Sequence, residues 1–158
     1  MRKTFLIATI ASALLCTAAS AQDINRIYGP NAMPPIAQGV VVPPGYTTYY
    51  LSGALPSPIK PAANGQPAEY GDIATQTRSV LNNLKAVMDK MGIGYGDVVS
   101  ARVFLTPNTD FQAMNKVWGT EFGTAAQPNK PARATVHVHA LVVPGTMIEI
   151  EFTAAKKP

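Results

Sequence analysis

Five residues with chemical potential crowd into "RATVHVHALVVPGTMIEIE" (133–151): Arg133, His137, His139, Glu149 and Glu151. A guanidinium holds a planar carboxylate through two charge-assisted hydrogen bonds, which a lysine ammonium cannot reproduce. A carboxylate can align water on an electrophilic carbon and accept its proton. Together these groups suit the binding of a small carboxylate and its attack by water.

The alternation around Val143-Pro144-Gly145 predicts two strands joined as a hairpin, with Gly145 supplying the positive φ. That register pairs Val142 with Thr146, His139 with Glu149 and His137 with Glu151. One face is then core, and the other carries Arg133, Thr135, His137, His139, Glu149 and Glu151. His-x-His beside two carboxylates invites zinc. Hydrogen bonding between each imidazole and the facing glutamate is the favoured reading, so no metal is assigned. Arg133 lies six residues from His139, or roughly 20 Å along a strand. Arg133 and Glu149 therefore share one pocket only if a neighbouring subunit brings the second.

Other elements must position these groups. "IAQGVVV" (36–42) and "TTYYLSG" (47–53) read as strands around the turn "PPGY", after an extended Pro- and Asn-rich arm at 23–35. Residues 55–72 read as a surface loop. The period then becomes helical over 72–92, with Ile73, Thr77, Val80, Leu81, Leu84, Val87, Met88 and Met91 on one face and Gly92 closing it. The methionines are read as core filling. "DVVSARVFLT" (97–106) is a buried strand, and a second helix over 108–122 presents Phe111, Met114, Val117 and Trp118. The order β-β-α-β-α-β-β fits an α+β domain with both helices on one face of the sheet. Its bare face calls for a partner, and self-association is expected.

Composition narrows the function. The chain has 158 residues, 47% hydrophobic and 14% charged, enough for a single core. Residues 1–21 read as a secretory signal peptide: Arg2-Lys3, an apolar run from Thr4 to Thr17, and Ala19-Ser20-Ala21 before Gln22. The expected mature domain is 22–158, periplasmic or secreted, with no membrane attachment after cleavage. Leu15 before Cys16 does not suit a lipoprotein site. Cleavage leaves 11 basic against nine acidic residues, a formal +2, and removes the single cysteine. No disulfide, thiolate nucleophile or cysteine-metal site is then expected. So small a charge, without a basic stripe, argues against nucleic acid as a partner.

"PARATVHVHALVVPGTMIEIE" resembles the signature of the Rid (YjgF) family of enamine/imine deaminases. "PIAQGV" (35–40), "LSG" (51–53), "DIATQTRSVLNNLKAVM" (72–88), "GDVVSARVFL" (96–105) and "DFQAMN" (110–115) follow in family order. The resemblance implies a chorismate-mutase-like α+β domain with a mixed sheet, assembled as a homotrimer with pockets between subunits. It implies cofactor-free hydrolysis of 2-enamino or 2-imino acids to 2-oxo acids and ammonia. Arg133 matches the carboxylate-binding arginine and Glu149 the glutamate that holds water. Ser52 and Gly53 match the pocket loop, and Asn115 matches an asparagine at the rim. Two lining positions depart: Ile36 stands where the family carries tyrosine, and Thr135 where cysteine is common. Tyr46 or Tyr49 is the expected replacement for that tyrosine. The alternative expectation is a non-catalytic homotrimeric binder of small carboxylates that keeps the arginine. Some relatives are also described as ribonucleases, which the charge does not support here.

Overall fold

The computed structural model describes residues 22–30 and 36–158; the expected signal peptide at 1–21 lies outside them. Two short strands come first, β1 (Asn25–Ile27) and β2 (Gly39–Val41), paired antiparallel. The arm expected at 23–35 thus contains a strand, and the strand expected at 36–42 is shorter than its apolar run. The main elements are β3 (Thr47–Ala54), α1 (Ile73–Lys90), β4 (Val98–Leu105), α2 (Phe111–Trp118), β5 (Ala132–His137) and β6 (Ile148–Lys156).

Both helices begin where a carboxylate can cap them. Asp72 Oδ1 accepts from the Thr75 N–H at 2.8 Å. Asp110 Oδ1 accepts from the N–H groups of Gln112 and Ala113 at 2.9 and 3.0 Å. Such caps satisfy donors that the first helical turn leaves unpaired. At the far end of α1, Gly92 adopts φ +69°, a conformation costly for a residue with a Cβ. Along α1 the buried stripe is Ile73, Gln76, Thr77, Val80, Leu81, Leu84 and Met88. Val87 and Met91, expected in that stripe, are instead exposed at its border.

The four-stranded sheet runs β3-β6-β4-β5. α1 carries the chain from β3 to β4, and α2 carries it from β4 to β5, which pairs parallel to β4. The α1 crossover leaves a slot between β3 and β4, and β6 fills it antiparallel to both. This corrects the expected hairpin, because β5 and β6 are not neighbours. The turn itself forms, with Thr146 N–H donating to Val143 O at 3.2 Å and Gly145 at φ +87°. It belongs to a connection that carries the chain past β4. Two-residue alternation gave the right buried face for β6 but the wrong one for β5, where Val136 is exposed and Arg133 and Thr135 are half-buried; it contains nothing about which strand lies between them.

Ile148, Ile150, Phe152 and Ala154 of β6 pack with Ala101, Val103 and Leu105 of β4 against the helices. Trp118 stacks on Phe122, with ring centroids 4.4 Å apart, and meets Phe152 edge-on at 6.0 Å. One buried polar residue holds the start of β6. Gln76 Nε2 donates to Gly71 O and Gly145 O, and its Oε1 accepts from the Met147 N–H at 2.7 Å. Gln76→Leu strands these backbone groups without partners, so it should lower unfolding free energy by about 3 kcal/mol. Denaturant titration measures that change directly.

Candidate functional site

The register places the proposed residues on two faces, not one. Arg133 aligns with Ala101, which aligns with Phe152; Thr135 aligns with Val103, and His137 with Leu105. All three therefore emerge on the helix side of β5. Glu149 aligns with Phe104, and Phe104 with Val136, on the opposite side of the sheet. The expectation that Arg133, Thr135 and both histidines share a face with Glu149 and Glu151 is overturned by the insertion of β6. The His–Glu pairs it implied do not form: Glu151 aligns with Arg102 and is ion-paired to it, and β5 ends at His137. Arg133 and Glu149 are indeed apart within one chain. The separation arises from opposite faces and about 10 Å across two strand spacings, not from distance along a hairpin.

On the helix side, Arg133 is half-buried between β5 and α2. Its guanidinium carbon lies 4.7 Å from the Trp118 ring centroid and 5.8 Å from that of Phe111. Nη2 donates to Asn115 Oδ1 at 2.7 Å. Nε and Nη1 are buried without a hydrogen-bond partner among the described residues, as is Thr135 Oγ1. A guanidinium has five N–H groups, so with one given to Asn115 a two-pronged fork remains open. Buried unpaired donors on a cation are costly, which points to an anion arriving from outside the chain. Desolvation pushes the Arg133 guanidinium down to about 10, so it is still a cation at neutral pH. Ile36 is half-buried beside this half-site, because Ala37 N–H donates to Pro131 O at 2.8 Å and Ala37 bridges Ala132.

On the other side, Glu149 packs against β3. A Cβ added to Gly53 would fall 2.1 Å from Glu149 Oε1, so the carboxylate occupies space that only glycine leaves open. The register slips between Leu51 and Ala54, bulging out Ser52 and Gly53. They line a cleft of about 320 Å³ at the β3 edge with Tyr50 and with Leu84, Val87 and Met91 from α1 and its end, a cleft that Glu149 does not line. Neither expected tyrosine reaches it. Tyr46 lies under Lys157, 5.5 Å from ring centroid to Nζ, and Tyr49 packs on the core. Tyr50, which the sequence reading missed, is the tyrosine of this cleft; strand alternation past Tyr49 was the available signal.

The chain thus carries two half-sites: Arg133, Asn115 and Thr135 at the β5 edge, and Glu149, Gly53 and Ser52 toward the β3 edge. A two-layer domain with a partly buried arginine at one sheet edge and a glutamate near the other is an α+β protein of Rid type. The profile described as Endoribonuclease L-PSP matches residues 30–156, and the chain belongs to that family. It is 39% identical over 131 residues to the protein DfrA of Myxococcus xanthus, covering 83% of this chain and 92% of that one. It is 34% identical over 128 residues to the 2-iminobutanoate/2-iminopropanoate deaminase of Escherichia coli, covering 81% and 92%. A crystal structure of a Rid-family protein of unknown function from Yersinia pestis superposes with a TM-score of 0.64 at 26% identity, covering 83% and 98%.

The depressed Arg133 value sets a pH dependence. Only the protonated guanidinium offers its fork to a carboxylate, and half of it is deprotonated at about 10. A bound anion stabilises the cation and lifts that value, so binding takes up a proton in this range. Calorimetric affinity for 2-oxobutanoate should be flat between about pH 8 and 9 and fall above about 10.

Proposed function

We propose that the protein is an exported hydrolase that converts 2-imino and 2-enamino acids to 2-oxo acids and ammonia. It works as a homotrimer with its sites between subunits. The observation that carries this reading is Arg133, a buried cation whose open fork has no partner among the described residues. The relative named 2-iminobutanoate/2-iminopropanoate deaminase supports the substrate class. Residues 1–21, with their basic start and apolar run, support export.

Assembly follows from the two half-sites lying at opposite ends of the sheet. A head-to-tail contact between the β5 edge of one protomer and the β3 edge of the next brings Arg133 toward the neighbour's Glu149. Repeated with the right rotation, that contact closes a ring. Tyr50 on β3 is 79% exposed and Val136 on β5 is 48% exposed, both at these edges and both suited to burial in such a contact.

In the completed site, Arg133 grips the substrate carboxylate and so places C2 of the imine against water held by Glu149. The water oxygen adds to C2 while Glu149 takes a proton. The C=N electron pair moves to nitrogen, which also gains a proton. The amino group of the resulting amino alcohol takes a second proton, balanced by the one the hydroxyl gives up, so that the C–N bond breaks, ammonia departs and C=O forms. One water is consumed for each ammonia released, and no redox partner is needed. The nuclease activity in the family description has weaker support here, because a formal charge of +2 beyond residue 21 gives a polyanion little to hold.

A second reading, a carboxylate-binding trimer without turnover, is favoured by Ile36 at the position where the family carries tyrosine. Assays on 2-iminopropanoate generated by an amino-acid oxidase separate the two. Loss of two charge-assisted bonds in Arg133→Ala should lower kcat/KM by at least about 100-fold, and Arg133→Lys should restore little because it lacks the fork. Wild-type protein that binds 2-oxobutanoate but does not accelerate hydrolysis over buffer selects the binder. Gly53→Ala tests Glu149. The added methyl displaces the flexible end of a side chain, so the melting temperature should barely change. Turnover should fall by about 100-fold, the usual cost of misplacing a reacting group by about 1 Å.

A further inference from the structure

Ala140-Leu141-Val142-Val143 is a run of four apolar residues, and the corrected topology removes the strand that was expected to explain the start of it. The run lies in the connection from β5 to β6, where polar residues are the rule and an apolar run needs a function. Val142 is 86% exposed, the most exposed large apolar residue among those described. This segment walls a cleft of about 250 Å³ formed by Phe104, Val138, Ala140, Leu141, Val142 and Glu149. Glu149, whose carboxylate packs against Gly53, adjoins the cleft, and the other five residues have apolar side chains. Phe104 belongs to the same face as Glu149 by register.

We infer that this cleft is the pocket for the substrate's side chain and that the protein acts on 2-imino acids with bulky aliphatic side chains. The inference rests on the deaminase reading and deepens it. Water occupies about 30 Å³ per molecule in the liquid, so the space beside Glu149 far exceeds what the hydrolytic water needs. Five of the six wall residues have apolar side chains, so an apolar group fills that surplus space best. A substrate held by its carboxylate at Arg133 and by C2 at Glu149 has its side chain as the one remaining apolar part. A methyl group leaves most of the cleft unfilled, whereas a branched four-carbon side chain contacts its walls.

The test compares kcat/KM for the imines of leucine and alanine, each generated in situ by an amino-acid oxidase. The leucine imine should be preferred by at least about tenfold, since a single methylene in an apolar pocket is worth that much. Ala140→Trp, which fills the cleft, and Val142→Asp, which charges its rim, should each reduce this ratio by about tenfold. A ratio near one overturns the inference, as does a ratio that neither variant moves. It also fails if either variant converts an assembled protein to single chains by solution mass, because the cleft then belongs to a subunit contact. If no imine is turned over, the deaminase reading falls separately. The pocket is then judged by calorimetric affinities for 2-oxo-4-methylpentanoate and 2-oxopropanoate. The same preference with the same response to both variants sustains it, and equal or absent binding overturns it.

Discussion

A guanidinium buried against two aromatic rings, with donors that nothing among the described residues satisfies, governs the architecture of this protein. Burial makes the charge costly, and Asn115 answers only one of its hydrogens. The rest of the β5 edge maintains that cost. Trp118 and Phe111 exclude water from one side, while α2 holds Asn115 beside the fork. Receptors for carboxylates benefit from this arrangement, because a donor set already stripped of water pays less to bind. The same low-polarity setting strengthens each hydrogen bond that an arriving anion makes.

Placing β6 between β3 and β4 has a second consequence. It puts Glu149 on the face away from the helices and next to β3, while Arg133 stays on the helix face of β5. Keeping the two charges apart in each chain also prevents a private Arg–Glu ion pair, which would satisfy the guanidinium and close the receptor. The fold thereby leaves Nε and Nη1 of this cation without a partner among the described residues.

The helices and the buried face of β6 were legible in the sequence because they follow local periodicity, whereas β5 was read the wrong way round: Val136 faces away from the helices and Arg133 toward them. The stripe from Ile73 to Met88 repeats every three to four residues, and Ile148, Ile150 and Phe152 alternate. Asp72 and Gly92 bracket α1 as their side-chain chemistry dictates. Arg133 and Glu149 were legible as chemistry, since both stand within a motif that resembles a known signature. The hairpin was not, although its turn forms with Gly145 in the expected conformation. A turn specifies how the chain reverses locally, whereas β6 is placed by a slot that α1 opens some sixty residues earlier. Tyr46, Tyr49 and Tyr50 show the same limit at shorter range. All three are equally plausible by composition, but the phase of β3 and its bulge put Tyr50 at the cleft.

By itself the sequence determined which residues carry charge, where the helices start and stop, and which side chains of β6 must leave water. These depend on interactions within a few residues of one another. Only the tertiary structure decided that Arg133 and Glu149 occupy opposite faces, that Gly53 is the space into which a carboxylate fits, and that Leu141 and Val142 wall a cleft. Those facts depend on strand order, and strand order is set by packing between segments far apart in the chain.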